Sequence, residues 1–513
     1  MRPVLRLLSI AAILAAGSSA LQAAVALASP FTDHAVLQRG QPIPVWGTAD
    51  AGEKVTVTFD GQTKTVTAGD DKKWLIKLDA HTAGGPYDLI VAGTNTITLT
   101  DILVGEVWIC SGQSNMEWTL SKARDAEKEI AAANFPKLRH FRVDKMTSDT
   151  SLSSCTGAWT VCTPQNAGGY TAVGYFFGRK LVQELDVPVG LLHTSWGGTP
   201  AEAWTSKPAL TSAATFKNAL TEWDTQVENY PAQLEAFNKT MEKWTAEAAA
   251  AKVAGKPEPK KPRPPQDPKS LPHGPASLYN GMLNPLVPYG IKGAIWYQGE
   301  ANANRAKDYR ELMALMIGDW RQSFGQGDFP FYIVQLANYM ERKTEPTDTA
   351  WAALREAQYL VTTTVKNTGI AVAIDIGDAK DIHPKNKQDV GLRLALNALA
   401  KDYGKKIPYS GPVYKEMKVD GANAVLSFDH LGGGLTVTGD IPVAGQKLTG
   451  FAIAGEDKKF VWAEAKIVGD TVVVSAASVT KPVAVRYAWG DNPECSLSNK
   501  AGLPAVPFRT DRP

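Results

Sequence analysis

Apolar and polar positions alternate along the first part of the chain. Between residues 29 and 103 the alternation has a period of two, as in Lys54–Phe59, which is the pattern of a half-buried strand. Turn pairs such as Asp60-Gly61 separate these runs. The pattern predicts a small antiparallel β domain over 29–103, either a sandwich or a jelly roll. Similar short runs return later, and they predict a second β-rich domain over 404–513.

Residues 104–403 follow a different pattern, in which continuous apolar runs alternate with helical periodicity. Runs such as 187–192 and 291–297 are apolar at successive positions, which is typical of strands in a parallel sheet covered by helices on both faces. An insertion over 206–275 interrupts this alternation. Its apolar residues recur at spacings of three and four before a proline-rich stretch. This predicts two amphipathic helices, or one helix broken near Pro231, followed by an exposed extended loop.

The beginning of the chain has the order of features found in a secretory signal. Arg2 and Arg6 precede an apolar run over residues 7–16, and small residues follow. We therefore expect 1–28 to be a signal peptide, with the mature chain starting between about Ala24 and Ser29. The apolar run is too short to span a bilayer. These features predict a secreted or periplasmic protein without a membrane segment in its mature form.

The composition narrows the class of protein. The chain has 513 residues, of which 44% are hydrophobic and 21% charged, and its formal charge is +2. These values suit a large soluble protein of about three domains and give no sign of a nucleic-acid partner. No Cys/His spacing matches a zinc site, and we expect neither a metal nor a cofactor. Cys155 and Cys162 lie seven residues apart, and in an exported protein they predict a disulfide.

Ser114 is the first candidate for chemistry. A short apolar strand is broken at Gly112, and a helix-type pattern begins after Glu117. A serine on such a strand-to-helix turn stands clear of the sheet, and backbone N–H groups point toward whatever it attacks. This geometry suits a nucleophile. Helix capping is the more common role of a serine at such a position, so the turn alone does not decide the function.

Other predicted strand ends carry complementary groups. Gly197 and Gly198 follow one strand, and glycines there let a backbone N–H approach a ligand closely. Gln298 follows another strand and carries an amide that can donate to an oxyanion. His383 follows a fourth strand and can act as a general base beside a carboxylate. Ligands bind beyond the carboxyl ends of parallel strands, so this set predicts an acyl-transfer site.

Four motifs in this order carry a family resemblance. They are Gly-Gln-Ser-Asn-Met at 112–116, Ser-Trp-Gly-Gly-Thr at 195–199, Trp-Tyr-Gln-Gly-Glu at 296–300 and Asp-Ile-His-Pro at 381–384. The chain resembles the SGNH hydrolases, and closely their sialate O-acetylesterase-like branch of carbohydrate acetylesterases, from about residue 31 to 509. The resemblance implies a flavodoxin-like α/β sandwich that removes acetyl groups from sugars without a metal, through an acetyl-enzyme intermediate.

The resemblance also implies roles for individual residues. Ser114 would be the nucleophile and His383 the base. The oxyanion hole would combine the Ser114 amide, a glycine of the pair Gly197-Gly198 and the Gln298 amide.

The acid that supports the histidine has three candidates. The wider superfamily has its aspartate three residues before the histidine, but Lys380 occupies that position here. Asp381, two residues before His383, is the first choice, and Asp378 and Glu300 are the alternatives.

Two classes of acetylated sugar are candidate substrates. Acetyl esters of sialic acids and of plant hemicellulose glycans both fit the family. One alternative function is an esterase that acts on non-sugar esters. Another is a carbohydrate-binding protein with a vestigial site, which the β domains and the 14 Trp residues would suit. The intact Ser114, Gln298 and His383 argue against such decay.

Overall fold

The computed structural model describes residues 24–437 and 448–511. Most of the predicted signal peptide, residues 1–23, lies outside the described residues. Residues 24–28 are described and belong to the first β region, where Val25 is buried and Ala26–Leu27 pairs with a neighbouring strand. A mature chain that starts at Ala24 would keep this strand, whereas one that starts at Ser29 would lose it.

The N-terminal part is made of strands. They are β1 Ala26–Leu27, β2 Val36–Gln38, β3 Ile43–Thr48, β4 Lys54–Phe59, β5 Gln62–Thr67, β6 Lys73–Leu78, β7 Gly84–Ala92 and β8 Thr96–Gly112. One sheet has the order β1-β3-β6, while β4, β5, β7 and β8 pair antiparallel and β2 joins β8 in parallel. Buried and exposed residues alternate along β4 and β6, and Val55, Val57, Trp74 and Ile76 lie in one core. The period-two pattern therefore folds as predicted, into antiparallel sheets around a shared core.

Strand β8 joins the N-terminal β region to the rest of the molecule. Its 17 residues form one continuous strand. The first part pairs with β7, and the part from Glu106 to Gly112 lies in the central sheet. The predicted boundary between residues 103 and 104 therefore falls inside a single strand.

The central sheet is largely parallel. Its other strands are β9 Phe135–Arg142, β10 Trp159–Cys162, β11 Val189–Ser195, β12 Gly293–Tyr297, β13 Phe331–Val334 and β14 Thr368–Ala371. The order is β10-β9-β11-β8-β12-β13-β14. Neighbouring strands from β9 to β14 are parallel, and the edge strand β10 is antiparallel to β9. All the carboxyl ends of the parallel strands, including that of β8, therefore meet at one edge of the sheet.

Helices cover both faces of this sheet. The α-helices are α1 Ser114–Glu117, α2 Ala126–Ala131, α3 Ala172–Leu185, α4 Lys207–Ser212, α5 Lys217–Val253, α6 Ala306–Phe324, α7 Ala350–Thr364 and α8 Lys387–Lys401. Helix α3 packs with α8, and α6 packs with α7. Trp108 contacts Phe177 of α3, while Trp296 contacts Trp320 of α6. Gly293 pairs with Trp108 in the neighbouring strand, so these two residues share a face of the sheet. Trp296 lies three residues beyond Gly293, and because side chains alternate along a strand, it points to the opposite face. The predicted α/β sandwich is confirmed.

The insertion is one long helix followed by a returning segment. Helix α5 runs without interruption from Lys217 to Val253 and contains Pro231, so the prediction of two helices or a broken one is wrong. Most of α5 is exposed. A side chain on Gly274 would collide with the ring of Trp223, and the indole N–H of Trp244 donates to the Pro259 carbonyl at 2.8 Å. These aromatic residues therefore pack against the returning segment. No helix in residues 24–437 and 448–511 is long and apolar enough to cross a membrane.

The C-terminal region is β-rich. Its strands are β15 Val413–Asp420, β16 Asn423–Asp429, β17 Leu435–Val437, β18 Phe451–Ala454, β19 Val461–Trp462, β20 Glu464–Val468, β21 Thr471–Ser475, β22 Ala484–Tyr487, β23 Leu497–Asn499 and β24 Phe508–Arg509. Two four-stranded sheets, β15-β16-β21-β20 and β19-β18-β22-β24, accompany the pair β17-β23. Their core includes Ile370, Val372 and Ile374. The C-terminal region thus packs against β14 and the residues that follow it.

The predicted disulfide is wrong. All four cysteines are free. The backbone N–H of Cys155 donates to the Ser29 hydroxyl at 2.8 Å, while Cys162 is fully buried in β10 with its thiol directed at the Ala133 carbonyl. Burial raises the pKa of the Cys162 thiol to about 12, so this side chain behaves as a small buried hydrophobe. A spacing of seven residues did not reveal that one cysteine lies in a strand and the other in a loop.

Candidate active site

Ser114 stands where the central strand β8 ends. Gly112 has φ +135, and a Cβ there would lie 2.2 Å from the Tyr297 carbonyl oxygen, so only glycine fits this close approach. The next residue, Gln113, donates its N–H to the same carbonyl at 3.0 Å. Helix α1 then begins at Ser114, which is half-buried. The strand-to-helix turn predicted from the sequence is confirmed.

His383 contacts Ser114 directly. Its Nε2 lies 2.9 Å from Ser114 Oγ, although the two residues are 269 positions apart in the chain. His383 belongs to the irregular segment between β14 and α8. The Trp118 ring stacks on the imidazole, with centroids 5.0 Å apart and an interplanar angle of 18°. The serine and histidine predicted from separate strand ends are therefore brought together with the imidazole held against an indole.

Asp381 is the carboxylate that lies against the imidazole. Its Oδ1 is 3.3 Å from His383 Nδ1 and also accepts the backbone N–H of His383 at 2.9 Å. Asp378 is exposed and accepts the N–H of Lys380 at 2.8 Å. Glu300 accepts an amide hydrogen from Asn115 instead. Of the three predicted acids, the geometry favours Asp381.

The surroundings of His383 lower its pKa. Burial is the largest cause, the nearby Asp381 charge opposes it, and Lys387 and Lys122 lower the pKa further. A lowered pKa keeps the imidazole neutral near neutral pH, and a neutral imidazole can accept a proton from a serine hydroxyl.

The paired glycines differ in what their N–H groups do. The Gly197 N–H donates to Glu117 Oε2 at 2.7 Å, and Glu117 also pairs with Lys145 at 2.6 Å. Gly198 is exposed with φ +79, and no acceptor among the described residues takes its N–H. The first N–H groups of a helix also have no intrahelical acceptor, which applies to Ser114. Gly198 and Ser114 therefore carry backbone N–H groups that have no acceptor among the described residues.

Gln298 has a different environment from the one predicted. Its side chain is fully buried, and its amide nitrogen donates to the Thr199 carbonyl at 3.2 Å and to Asn302 Oδ1 at 2.7 Å. Its oxygen accepts from the Tyr309 hydroxyl at 2.8 Å. Both amide hydrogens are thus engaged, and the geometry does not support a direct role as oxyanion donor. Gln298 instead holds the residue that follows Gly198.

A buried network behind the serine was not predicted. Asn115 donates from Nδ2 to Glu300 Oε1 at 2.6 Å and to the Ile382 carbonyl at 3.1 Å. Its Oδ1 accepts from Lys387 Nζ at 2.5 Å, and Lys387 is completely buried. Asn115 therefore ties the turn of Ser114 to the residue before His383.

Both charged members of this network are strongly affected by burial. Burial lowers the pKa of Lys387 to about 7 and raises the pKa of Glu300, with Asn115 and the Lys387 charge opposing the rise. Glu300 is half-buried as a residue, but its Oε2 has no contact with solvent and no hydrogen-bond partner among the described residues. The motif Gly-Gln-Ser-Asn-Met contains Asn115 and could have drawn attention to it, whereas a lysine at a helix start gave no signal of burial.

Within residues 24–437 and 448–511, no group of three or more His, Cys, Asp and Glu side chains is arranged to hold a metal ion.

Comparisons with known proteins agree with this architecture. The family described as SASA, a carbohydrate esterase and sialic acid-specific acetylesterase, matches residues 272–400. Sialate O-acetylesterase of Mus musculus is 32% identical over 94% of this chain and 93% of its own length, and that of Homo sapiens is 30% identical over 90% and 88%. The crystal structure of a carbohydrate acetylesterase from Xanthomonas citri has 40% identity, a TM-score of 0.80, and covers 95% of this chain and 99% of its own.

Fold and comparisons together define a carboxylic ester hydrolase built on an α/β sandwich. More narrowly, the chain belongs to the sialate O-acetylesterase family. The family resemblance drawn from the four motifs is confirmed.

Proposed function

We propose that this protein removes O-acetyl groups from sugars through an acetyl-enzyme formed on Ser114. The 2.9 Å contact between Ser114 Oγ and His383 Nε2 supports the proposal most directly, because a nucleophile and its base must lie within hydrogen-bond reach. The contact lies at the carboxyl edge of the parallel sheet, where ligands of such folds bind.

The first half-reaction transfers the acetyl group to the enzyme. Ser114 Oγ attacks the carbonyl carbon of the ester, and its proton moves to His383 Nε2. The carbonyl oxygen becomes an oxyanion, which the N–H groups of Ser114 and Gly198 can stabilise. The tetrahedral intermediate then breaks its bond to the sugar oxygen, which leaves as a hydroxyl with the proton from His383.

The second half-reaction releases acetate. Water attacks the acetyl carbonyl, and His383 takes up one of its protons. The same N–H groups stabilise the second oxyanion. The bond to Ser114 Oγ breaks, the serine recovers its proton from His383, and the product departs as acetic acid, which ionises to acetate in water.

Asp381 supports the histidine in both halves. Its carboxylate beside Nδ1 favours the tautomer that leaves Nε2 free to accept a proton. It also stabilises the imidazolium, which offsets the pKa-lowering effects of burial and of Lys387. The network around Asn115 keeps Ile382, and so His383, close to Ser114.

The first substrate to consider is an O-acetylated sialic acid. The curated relatives are named for sialate. In addition, exposed Lys122 has its Nζ 5.7 Å from the centre of the Trp118 ring, which stacks on His383. A cation at this place suits a sugar that carries a carboxylate. The second substrate is the acetyl ester of a plant hemicellulose, which fits the name carbohydrate acetylesterase of the Xanthomonas citri neighbour. We further propose that the protein acts after export.

Substitution of Ser114 tests the proposal. Wild type and Ser114→Ala are compared for acetate release from an aryl acetate, an O-acetylated sialic acid and acetylated xylan, with circular dichroism as the control for folding. The variant is expected to lose about 10³-fold or more of kcat on every substrate that the wild type uses. A folded Ser114→Ala variant with near wild-type turnover would rule the proposal out, and the rates of the wild type rank the sugars.

A further inference from the structure

A second cavity lies away from Ser114, beside the C-terminal β region. It has a volume of about 330 Å³ and is bounded on one side by the segment 342–347 and on the other by residues such as Phe451, Trp462, Asp491 and Asn492. The acyl-transfer chemistry uses none of these residues. A cavity between two packed regions is a common position for a ligand site.

Trp462 has a larger exposed fraction than the other tryptophans of the chain. Its exposed fraction is 44%, whereas the other 13 tryptophans are buried or half-buried. Its orientation is fixed because the indole N–H donates to the Thr344 carbonyl at 2.7 Å. A fixed indole offers a flat apolar face and loses little conformational entropy on binding. Such a face matches the C–H-covered face of a pyranose ring.

The polar groups around the indole are also held in place. Asn492 donates to the Met340 carbonyl at 2.7 Å and accepts from Asn338 at 2.8 Å. Arg342 pairs with Glu494 at 2.9 Å, and both side chains are substantially exposed. An aromatic face beside a few fixed donors and acceptors is the arrangement that binds a hydroxyl-rich ring.

This cavity is linked to the segment that carries His383. Asn338, which donates to Asn492, also accepts the Gly377 N–H at 2.6 Å. A Cβ on Gly377 would lie 1.9 Å from the Asn338 carbonyl oxygen, so the two segments touch. Gly377 lies six residues before His383, and segment 342–347 follows β13. Contacts through Asn338 therefore link the cavity to the segment that leads to His383.

We propose that this cavity binds a pyranose ring of an acetylated oligosaccharide, with Trp462 stacked on the ring. The ring is a different sugar unit from the one whose ester reaches Ser114. The inference deepens the proposed function and rests on it, because it makes the substrate an oligosaccharide chain rather than a free monosaccharide.

Three variants of the full-length chain test the cavity. Trp462→Ala removes the stacking face, and Trp462→Phe keeps an aromatic ring. Val483→Ala is the control, because Val483 is another exposed apolar residue of the C-terminal region, with an exposed fraction of 43%, and does not line the cavity. Binding of xylohexaose and of 3′-sialyllactose, both without acetyl groups, is measured by calorimetry. The ratio of kcat/KM on their acetylated forms to kcat/KM on an aryl acetate is measured in parallel.

We expect at least one oligosaccharide to bind the wild type. Trp462→Ala should weaken that binding, and lower the kcat/KM ratio, by about tenfold. Trp462→Phe should recover most of the loss, and Val483→Ala should behave as wild type. The inference is overturned if neither oligosaccharide binds, or if Trp462→Ala binds and discriminates as the wild type does. Failure of the proposed esterase function would give a different result from failure of this inference. A wild type that hydrolyses no acetate ester can still be tested for oligosaccharide binding.

Discussion

Replacing Lys387 with methionine removes the positive charge from the network behind Ser114. Methionine keeps the length and apolar character of the lysine stem. It leaves Asn115 Oδ1 without the Lys387 donor at 2.5 Å, and it leaves Glu300, whose Oε2 is out of contact with solvent, without its nearby positive charge. The structure therefore predicts a large effect from a side chain that never meets the substrate.

The loss of stability can be bounded. Removing one partner of a directly paired buried charge costs about 3–5 kcal/mol, and this is an upper bound here because Lys387 and Glu300 are joined through Asn115. Changing Glu300 to glutamine in the same chain removes the carboxylate charge and keeps an oxygen for Asn115. The double variant Lys387→Met/Glu300→Gln should therefore regain about 2 kcal/mol or more relative to Lys387→Met.

The loss of folding stability caused by Lys387→Met depends on pH. Burial raises the pKa of Glu300, and Lys387 opposes that rise, so the methionine variant raises the pKa further. The folded variant then binds a proton that the unfolded chain does not. Because the pKa of Lys387 is lowered to about 7, the wild type holds the lysine charge only below that pH. The stability deficit of the variant should therefore be largest between the pKa of Glu300 and about pH 7, and it should shrink as the pH falls through the pKa of Glu300.

Urea unfolding of the four proteins of this cycle, at several pH values, measures these quantities. Lys401→Met is the matched control, because Lys401 lies on the same helix and donates to the Thr368 carbonyl at 2.8 Å, but it is remote from the network. It should cost about 1.5–3 kcal/mol, as for one hydrogen bond from a charged group. Additive effects of Lys387→Met and Glu300→Gln, or a deficit that grows at low pH, would refute the reasoning.

Three further predictions concern the base, the insertion and export. Asp381→Asn should lower kcat by about 10²–10⁴-fold with little change in KM, and it should move the acid limb of the pH profile to lower pH, because the Asp381 charge raises the pKa of His383. Asp378→Asn should do much less, and the reverse ranking would show that Asp381 is not the orienting acid. Removing residues 226–266, which carry none of the four motifs, should leave turnover of an aryl acetate near wild type and raise KM for polymers more. An equal loss of kcat on the aryl acetate would show that the insertion supports the core. N-terminal sequencing of exported protein should find a start near Ala24, upstream of buried Val25, and a start at Met1 would contradict export with cleavage.

The parts of the fold that follow from local patterns could be predicted. Continuous apolar runs identified the strands that end near Ser114, Gly198 and Gln298, and the strand that precedes the segment of His383, because buried parallel strands need apolar side chains on both faces. The turn at Gly112 was predictable since a broken strand followed by a helix leaves few conformations. The carboxyl ends of these strands could then be expected to lie close together, because the strands of the sheet are parallel.

The features of the fold and of the site that could not be predicted depend on contacts between distant segments of the chain. The side chain of Gln298 turns into the core toward Tyr309 rather than toward the serine, and neither strand spacing nor motif order fixes that rotamer. Lys387 is buried only because Asn115 and two aromatic rings enclose its ammonium group. Continuity of β8 across the predicted domain boundary arises from partners on both sides of the strand, which the sequence of β8 alone does not specify.

Active-site labelling tests most directly the claim that Ser114 is the nucleophile. A fluorophosphonate reacts with activated serines, and peptide mapping by mass spectrometry identifies the labelled residue. We predict one label per chain, on Ser114, with loss of acetate release in step with labelling, protection by an acetylated substrate, and greatly slowed labelling in His383→Ala. A label on another residue that tracks the loss of activity, or a fully active enzyme labelled at Ser114, would contradict the account.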